Sequence, residues 1–188
     1  MIIFDLDGTL ADCEHRRHFV DPRKHDCQCG GQSEKDEWKL AVVCPRCSLF
    51  KPDWQAFYEA CDKDEGITPV IQCFNHFVDN FGSECVQIWS GRCESVREKT
   101  IDWLLRNIPF YHRDIVLKMR PIGDSTPDDE LKERWLDEYL DQGMIETKWG
   151  NKTKNEIDFV FDDRPKVIRM WRRRGIFVFN CCQHDQEF

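Results

Sequence analysis

Short apolar runs that end in polar residues recur along the chain and predict the strands of a sheet. Each run is rich in β-branched or aromatic residues, which favour extended structure. The runs are MIIF (1–4), ECVQIWS (84–90), DIVLKM (114–119), EIDFVFDD (156–163) and GIFVFNC (175–181).

Between these runs lie segments with helical spacing of apolar residues. ESVREKTIDWLLRN (94–107) has an apolar stripe, DDELKERWLDEYL (128–140) begins with acids, and RPKVIRMWRRRG (164–175) has a proline near its start and a glycine at its end. These are typical helix patterns and helix boundaries. Regular alternation of strand and helix predicts an α/β fold, a doubly wound, Rossmann-like parallel sheet.

Polar residues follow the predicted strands, where sheets of this kind bind ligands. The clusters are Asp5 with Asp7, Ser90 to Arg92, Lys118 to Arg120, and Asp162 to Arg164. Because side chains alternate along a strand, Asp5 and Asp7 are expected to point to the same side. Two adjacent carboxylates repel and suggest a bound cation or a proton in transit.

The clusters can be assembled into one catalytic site. Asp5, Asp7, Asp162 and Asp163 offer hard oxygen ligands that suit Mg²⁺. Ser90 and the backbone at Gly91 can donate to a phosphoryl oxygen, and Lys132 can neutralise another. Asp5 is then the candidate nucleophile and Asp7 the candidate acid and base. The predicted reaction is phosphoryl transfer to water through an aspartyl-phosphate. A single aspartate could equally be a loop residue or helix cap, but two pairs at strand ends favour a site.

Composition and charge narrow the class of protein. The chain has 188 residues, 40% of them hydrophobic, and a mean hydropathy of -0.64, which predicts a soluble domain with room for a small added module. We expect no membrane segment, and a cytoplasmic location, since the first strand begins at Ile2 and leaves no space for a leader. A net charge of -8 argues against broad binding to duplex nucleic acid, although a nucleotide or strand end could still bind.

Three motifs resemble those of the haloacid dehalogenase (HAD) superfamily of phosphatases. FDLDGTLAD resembles its signature, with Asp5 and Asp7 as nucleophile and acid/base. IWSGR resembles its second motif, with Ser90 binding phosphate, and FVFDDRP its acidic metal motif. The segments SGR, LKMRPIGDSTPDDELK and DFVFDDRPKVIRMWRRRGI are especially similar to the phosphatase domain of phage-type polynucleotide kinase 3'-phosphatases.

This resemblance implies further site residues. Arg92 and Arg120 would contact the phosphate or its nucleotide. Asp128 and Lys132, four apart on one helix face, would form the Asp-Lys element of the family. Arg16 or Arg17 matches a further arginine of the family, and the spacing leaves both open. The implied substrate is a 3'-phosphorylated nucleic-acid end or a nucleotide.

The superfamily commonly carries a cap between its first two motifs, and the chain has an insert there. We therefore predict a core of residues 1–20 and 82–188, and a cap of residues 21–81.

Cys44-Pro-Arg-Cys47 has the spacing of a zinc knuckle, and Cys27-Gln-Cys29 is a weaker partner pair in which His25 could replace a thiol. Residues 25–50 thus predict a structural zinc ribbon, with free thiols as the alternative. The rest of the insert predicts helices, in which Trp54, Phe57 and Tyr58 favour packing over base stacking.

Two other functions compete with the 3'-phosphatase. The chain contains no GxxxxGK[ST] motif, so no nucleoside triphosphate donor is expected. A mononucleotidase would use similar contacts, and it stays open. A binding module with a zinc insert and a vestigial phosphatase site is the remaining alternative. The sequence leaves DNA, RNA and mononucleotide substrates open.

Overall fold

The computed structural model describes residues 1–21, 50–141 and 156–182, together with the backbone of 144–146 and 152–154. Its strands are β1 (Ile2–Phe4), β2 (Ala11–Asp12), β3 (Glu65–Gly66), β4 (Val86–Cys93), β5 (Val116–Arg120), β6 (Met144–Glu146), β7 (Lys152–Lys154), β8 (Phe159–Asp162) and β9 (Phe177–Asn180). Its α-helices are α1 (Trp54–Glu59), α2 (Thr68–Phe81), α3 (Arg97–Asn107), α4 (Asp128–Asp141) and α5 (Pro165–Arg173). A 3₁₀ helix spans Glu14–Phe19.

The five predicted apolar runs form one sheet in the order β5-β4-β1-β8-β9. Every neighbouring pair in this sheet is parallel. The α/β prediction with a parallel central sheet is therefore confirmed. Strand β1 lies in the middle, and the Asp5 amide continues its pairing by donating to the Phe161 carbonyl at 2.9 Å. The residues that follow β1 and β8 thus leave the sheet side by side.

Side chains that alternate along the strands contribute to two hydrophobic clusters, one on each face of the sheet. One face packs Phe4 and Ile88 against α2 and α3. The other packs Ile3 and Trp89 against α4 and α5, including Trp135 and Trp171. Helices on both faces follow from the alternation of strand and helix, because each crossover must cover the sheet.

A row of phenylalanines crosses the sheet directly behind its polar edge. The Phe4 and Phe161 rings stack with centroids 4.4 Å apart and planes 4° from parallel. The Phe161 and Phe179 rings stack at 4.8 Å and 15°. These contacts join the three strands β1, β8 and β9 through their side chains as well as their backbones.

The predicted cap falls partly outside the described residues. His25 and the predicted zinc ligands Cys27, Cys29, Cys44 and Cys47 all lie there. Helix α2, at the end of the predicted cap, buries Ile71, Phe74 and Val78 in the same cluster as Phe4. Among the described helices, none has the length and apolar character needed to cross a membrane.

Candidate active site

Three carboxylates meet at the carboxyl edge of the central strands. Asp5 follows β1, Asp162 ends β8, and Asp163 is the next residue; all three are buried, and each offers an oxygen within 4.8 Å of the others. Lys132, on α4, places its Nζ 2.8 Å from Asp5 Oδ1 and 2.8 Å from Asp162 Oδ2. The Trp171 indole also donates to Asp162 Oδ2, at 3.3 Å. One buried cation therefore joins the first and last acidic motifs of the sequence.

The charge balance of this cluster favours binding of a further cation. Burial raises the pKa of Asp5 well above its usual value, and Asp162 and Asp163 add to the rise although Lys132 opposes it. Burial and the neighbouring Asp162 raise the pKa of Asp163 to about 6. Three acids with one lysine leave excess negative charge, which a divalent ion bound by hard oxygens would offset. The donor set fits Mg²⁺.

Gly8 makes room for one of these acids. Its φ is +84°, in the left-handed region that glycine tolerates best. A Cβ placed on Gly8 would lie only 2.1 Å from Asp163 Oδ2. The adjacent Thr9 hydroxyl donates to Asp163 Oδ1 at 3.4 Å. The glycine of the DLDGT segment thus allows the first acidic motif to pack tightly against the last.

The carboxylate of Asp7 faces two arginines. Arg16 Nη2 donates to Asp7 Oδ1 at 2.6 Å, and Arg92 donates to the same oxygen from Nε at 2.8 Å and Nη2 at 2.6 Å. Burial alone would raise the pKa of Asp7, but the two guanidiniums outweigh it and lower the pKa to about 2. The structure thus groups Asp7 with the arginines, whereas the cluster of Asp5, Asp162 and Asp163 does not include its side chain.

The structure also separates the two candidate arginines after the first motif. Arg16 is fully buried and contacts Asp7, while Arg17 Nη1 lies 3.5 Å from Glu14 Oε2. The Arg16 guanidinium lies 4.1 Å from the centroid of the Phe57 ring and donates to the Phe57 carbonyl at 3.1 Å. The 3₁₀ helix and α1 therefore hold Arg16 between them.

Asp64, which no sequence motif marks, completes this arrangement. Its side chain is fully buried and accepts from Arg16 Nε and Nη2, both at 2.7 Å, and from Arg92 Nη2. His15 Nε2 lies 2.9 Å from Asp64 Oδ1. Two guanidiniums are thus balanced by two carboxylates. In the sequence, Asp64 is one of several acids in a polar segment, and nothing there distinguishes it.

The predicted phosphate-binding residues lie on the next strands. The buried Ser90 hydroxyl accepts from the Arg92 amide at 3.1 Å. Arg120, at the end of β5, donates to the Gly91 carbonyl at 3.0 Å and pairs with Asp128. A Cβ on Gly91 would lie 2.9 Å from Asp128 Oδ1, so this position is tight.

Asp128 begins α4 and is shared between two arginines. Arg164, which follows the last acidic motif, pairs with Asp128 on the side opposite to Arg120. Lys132 lies one turn further along the same helix. Helix α4 therefore brings Asp128 to the two arginines and Lys132 to the acidic cluster, so these two residues contact different partners.

A cavity of about 440 Å³ opens onto these groups. Asp5, Asp7 and Lys132 line its inner end. Residues 123–128 form one wall, and Trp54 and Tyr58 of α1 contribute an aromatic side. Its size is in the range that binds small molecules and cofactors.

Comparison with known proteins places the chain among phosphatases. A sequence model described as the polynucleotide kinase PNKP phosphatase domain matches residues 54–186. A putative bifunctional polynucleotide kinase/RNA ligase of Autographa californica nuclear polyhedrosis virus is 29% identical over 158 residues, which cover 81% of this chain and 21% of that protein. The chain thus spans about a fifth of the length of that curated relative.

Two solved structures have a similar fold. A chain in the structure of a Pnkp1/Rnl/Hen1 complex has a TM-score of 0.60 and 23% identity, with 98% of this chain and 46% of that chain covered. A chain in the Pnkp1/Rnl/Hen1 RNA repair complex has a TM-score of 0.57 and 21% identity, with 98% and 43% covered.

The fold and the sequence match together define a phosphatase of the HAD class, as the motifs imply. Within that class, the chain belongs to the family of polynucleotide kinase PNKP phosphatase domains, because the match covers well over half of it. The match begins after Asp5, Asp7 and Arg16, so the structure supplies the link between these residues and the matched region.

Proposed function

We propose that this chain is a Mg²⁺-dependent phosphatase that removes the phosphate from 3'-phosphorylated nucleic-acid ends through an aspartyl-phosphate. The observation that carries the proposal is the position of Lys132, 2.8 Å from both Asp5 and Asp162. It joins the candidate nucleophile to the acidic metal motif at one end of a cavity large enough for a nucleotide.

In the proposed first step, an Asp5 oxygen forms a bond to phosphorus and the bond to the leaving oxygen of the substrate breaks. Asp5, Asp162 and Asp163 would hold the Mg²⁺, which supplies positive charge to the phosphoryl oxygens. Lys132 adds a fixed charge at the same place and keeps Asp5 oriented. In the second step, a water oxygen forms a bond to phosphorus, the bond between phosphorus and the Asp5 oxygen breaks, and inorganic phosphate and the free Asp5 carboxylate are released.

Asp7 is proposed to handle protons in both steps. Its lowered pKa, about 2, keeps the carboxylate ionised at neutral pH, which suits acceptance of a proton from the attacking water. Donation to the leaving oxygen requires its pKa to rise once the substrate is bound. Arg16, Arg92 and Asp64 are positioning residues in this proposal, because they fix the carboxylate of Asp7.

A nucleic-acid end is the proposed substrate on three grounds. The family is that of polynucleotide kinase phosphatase domains, and the matched viral relative carries polynucleotide kinase and RNA ligase in its name. Arg120 and Arg164 line the cavity and offer positive charge to a nucleotide phosphate.

We also propose that the insert ends before α2, since that helix packs on the central sheet. A structural zinc bound by Cys27, Cys29, Cys44 and Cys47 stays a proposal that rests on their spacing. Elemental analysis of wild-type protein and of Cys44→Ser and Cys47→Ser variants tests it. Unchanged metal content would refute the ribbon.

The test of the enzymatic proposal is phosphate release from matched substrates. These are 3'-phosphorylated DNA and RNA oligonucleotides, the 5'-phosphorylated forms, 3'- and 5'-mononucleotides and a hexose phosphate, each with Mg²⁺ or with EDTA. We expect Mg²⁺-dependent release that is fastest from 3'-ends, and its loss in Asp5→Asn. Preference for mononucleotides would favour the mononucleotidase, and preference for the hexose phosphate would refute a nucleotide substrate.

A further inference from the structure

The aromatic side of the cavity has no role in the chemistry proposed above. Helix α1 carries three aromatic residues that line the cavity, Trp54, Phe57 and Tyr58, and of these Phe57 is buried, at 3% exposure. Trp54 is 45% exposed, and Tyr58 is partly buried. Both line the same cavity as Asp5 and Lys132. The packing role predicted from the sequence therefore fits Phe57 but leaves Trp54 with a large exposed ring.

The aromatic side is rigidly connected to the catalytic end. Asp53 caps α1 by accepting from the Ala56 amide at 2.9 Å. At its other end, Arg16 stacks on Phe57 while it contacts Asp7. The Tyr58 hydroxyl donates to the Gly91 carbonyl at 3.4 Å, next to the predicted phosphate-binding serine. The Trp54 and Tyr58 ring centroids are 6.1 Å apart, with planes 32° from parallel. Helix α1 is thus linked to Gly91 through Tyr58 and to Asp7 through Phe57 and Arg16.

We propose that Trp54, supported by Tyr58, is the binding site for the nucleobase of the phosphate-bearing nucleotide. The inference rests on the function proposed above. Phosphate at Asp5 leaves the sugar and base of the same nucleotide to fill the rest of the cavity. An exposed indole suits the planar face of any base, so the contact selects a base-bearing end without selecting its sequence. The same chemistry applies to the end of an oligonucleotide and to a free nucleotide.

The test compares an oligonucleotide that ends in a normal 3'-phosphorylated nucleotide with one that ends in a 3'-phosphorylated abasic sugar. A 3'-mononucleotide forms a third arm, which separates a polymer end from a free nucleotide as the source of the base. We expect the wild-type protein to prefer the normal end over the abasic end, by kcat/KM, by about tenfold, within the range for base stacking. Trp54→Ala is expected to remove most of this preference through KM, and Trp54→Phe to keep most of it.

Phe110→Ala is the matched control, because Phe110 is equally exposed, at 44%, and does not line the cavity. It should leave the preference unchanged. An unaltered preference in Trp54→Ala, or no preference in the wild type, would overturn the base site while the phosphatase proposal stands. Failure of the wild type to release phosphate from any of the three substrates would refute the phosphatase proposal itself. If the alanine variant does not fold, the wild-type comparison of the normal and abasic ends still decides, because equal kcat/KM values for the two would overturn the base site.

Discussion

Replacement of Asp64 by asparagine tests whether the buried arginine cluster positions Asp7. Asp64 is fully buried and balances the charges of Arg16 and Arg92 together with Asp7. Asparagine has almost the same shape but no charge, and its nitrogen cannot accept the hydrogen bonds of a guanidinium. The variant therefore leaves two buried guanidiniums with one carboxylate.

The expected magnitude follows from this loss of balance. Removing one partner of a buried ion pair costs about 3–5 kcal/mol in the free energy of unfolding. Arg16 and Arg92, which hold Asp7 in place, also lose the charged carboxylate of Asp64, so Asp7 is expected to shift. A misplacement of about 1 Å in a catalytic group can reduce a rate by about 100-fold. We thus expect Asp64→Asn to lower both stability and kcat, with a smaller change in KM.

Urea unfolding and steady-state phosphate release, measured below the unfolding temperature of the variant, give the two quantities. Glu65→Gln is the control, since Glu65 is the adjacent acid and is exposed. A variant Asp64→Asn that matches Glu65→Gln in both stability and kcat would refute the positioning role of the cluster.

Three further predictions concern the acidic cluster. Gly175→Ala, at a φ of +76° with open space around it, should cost only backbone strain, about 1–3 kcal/mol in the free energy of unfolding. Gly8→Ala is expected to cost more than this and to weaken Mg²⁺ binding measured by calorimetry, because its Cβ would also clash with Asp163. Equal effects of the two would contradict the tight packing at Asp163. Lys132→Met should reduce kcat by about 100-fold, because the fixed positive charge beside Asp5 is lost. Lys132→Arg should keep part of the wild-type kcat, because the charge is kept but displaced. Full activity of Lys132→Met would exclude the lysine from the site. Without divalent ions, the free energy of unfolding should fall by roughly 1–3 kcal/mol from Asp163 alone as pH rises from 3.8 to about 6, because the folded state binds its proton more tightly than the unfolded state does. Asp5, whose pKa is also raised, acts in the same direction. Asp163→Asn should therefore reduce the slope in urea titrations without removing it, and an unchanged slope would exclude Asp163 as a contributor.

The sheet could be predicted from the sequence because each of its strands is a separate apolar run between helix patterns. Local pattern also places Asp5, Asp162 and Lys132 correctly near strand ends or on a helix face. The small pairing of β2 with β3 has no such signal, since each strand has two residues. Its formation depends on contacts that only the folded chain makes.

Asp64 and Trp54 illustrate what a single sequence does not contain. Asp64 gains its role from Arg16 and Arg92, which lie 48 and 28 residues away. A buried ion cluster of this kind is visible only after folding brings the segments together. Helical spacing of Trp54 with Phe57 predicts a shared face, but it does not tell which ring is buried and which is exposed in the cavity.

The stacked phenylalanines of the sheet have a consequence for how this enzyme tolerates change. Phe4 and Phe161 directly precede Asp5 and Asp162, so the stacked rings behind the site adjoin two of its acids. A smaller side chain in either place would let the strands relax by a fraction of an ångström. Such a change in the interior should shift Asp5 and Asp162 in the proposed metal site, so packing of the core and affinity of that site for a cation are expected to change together.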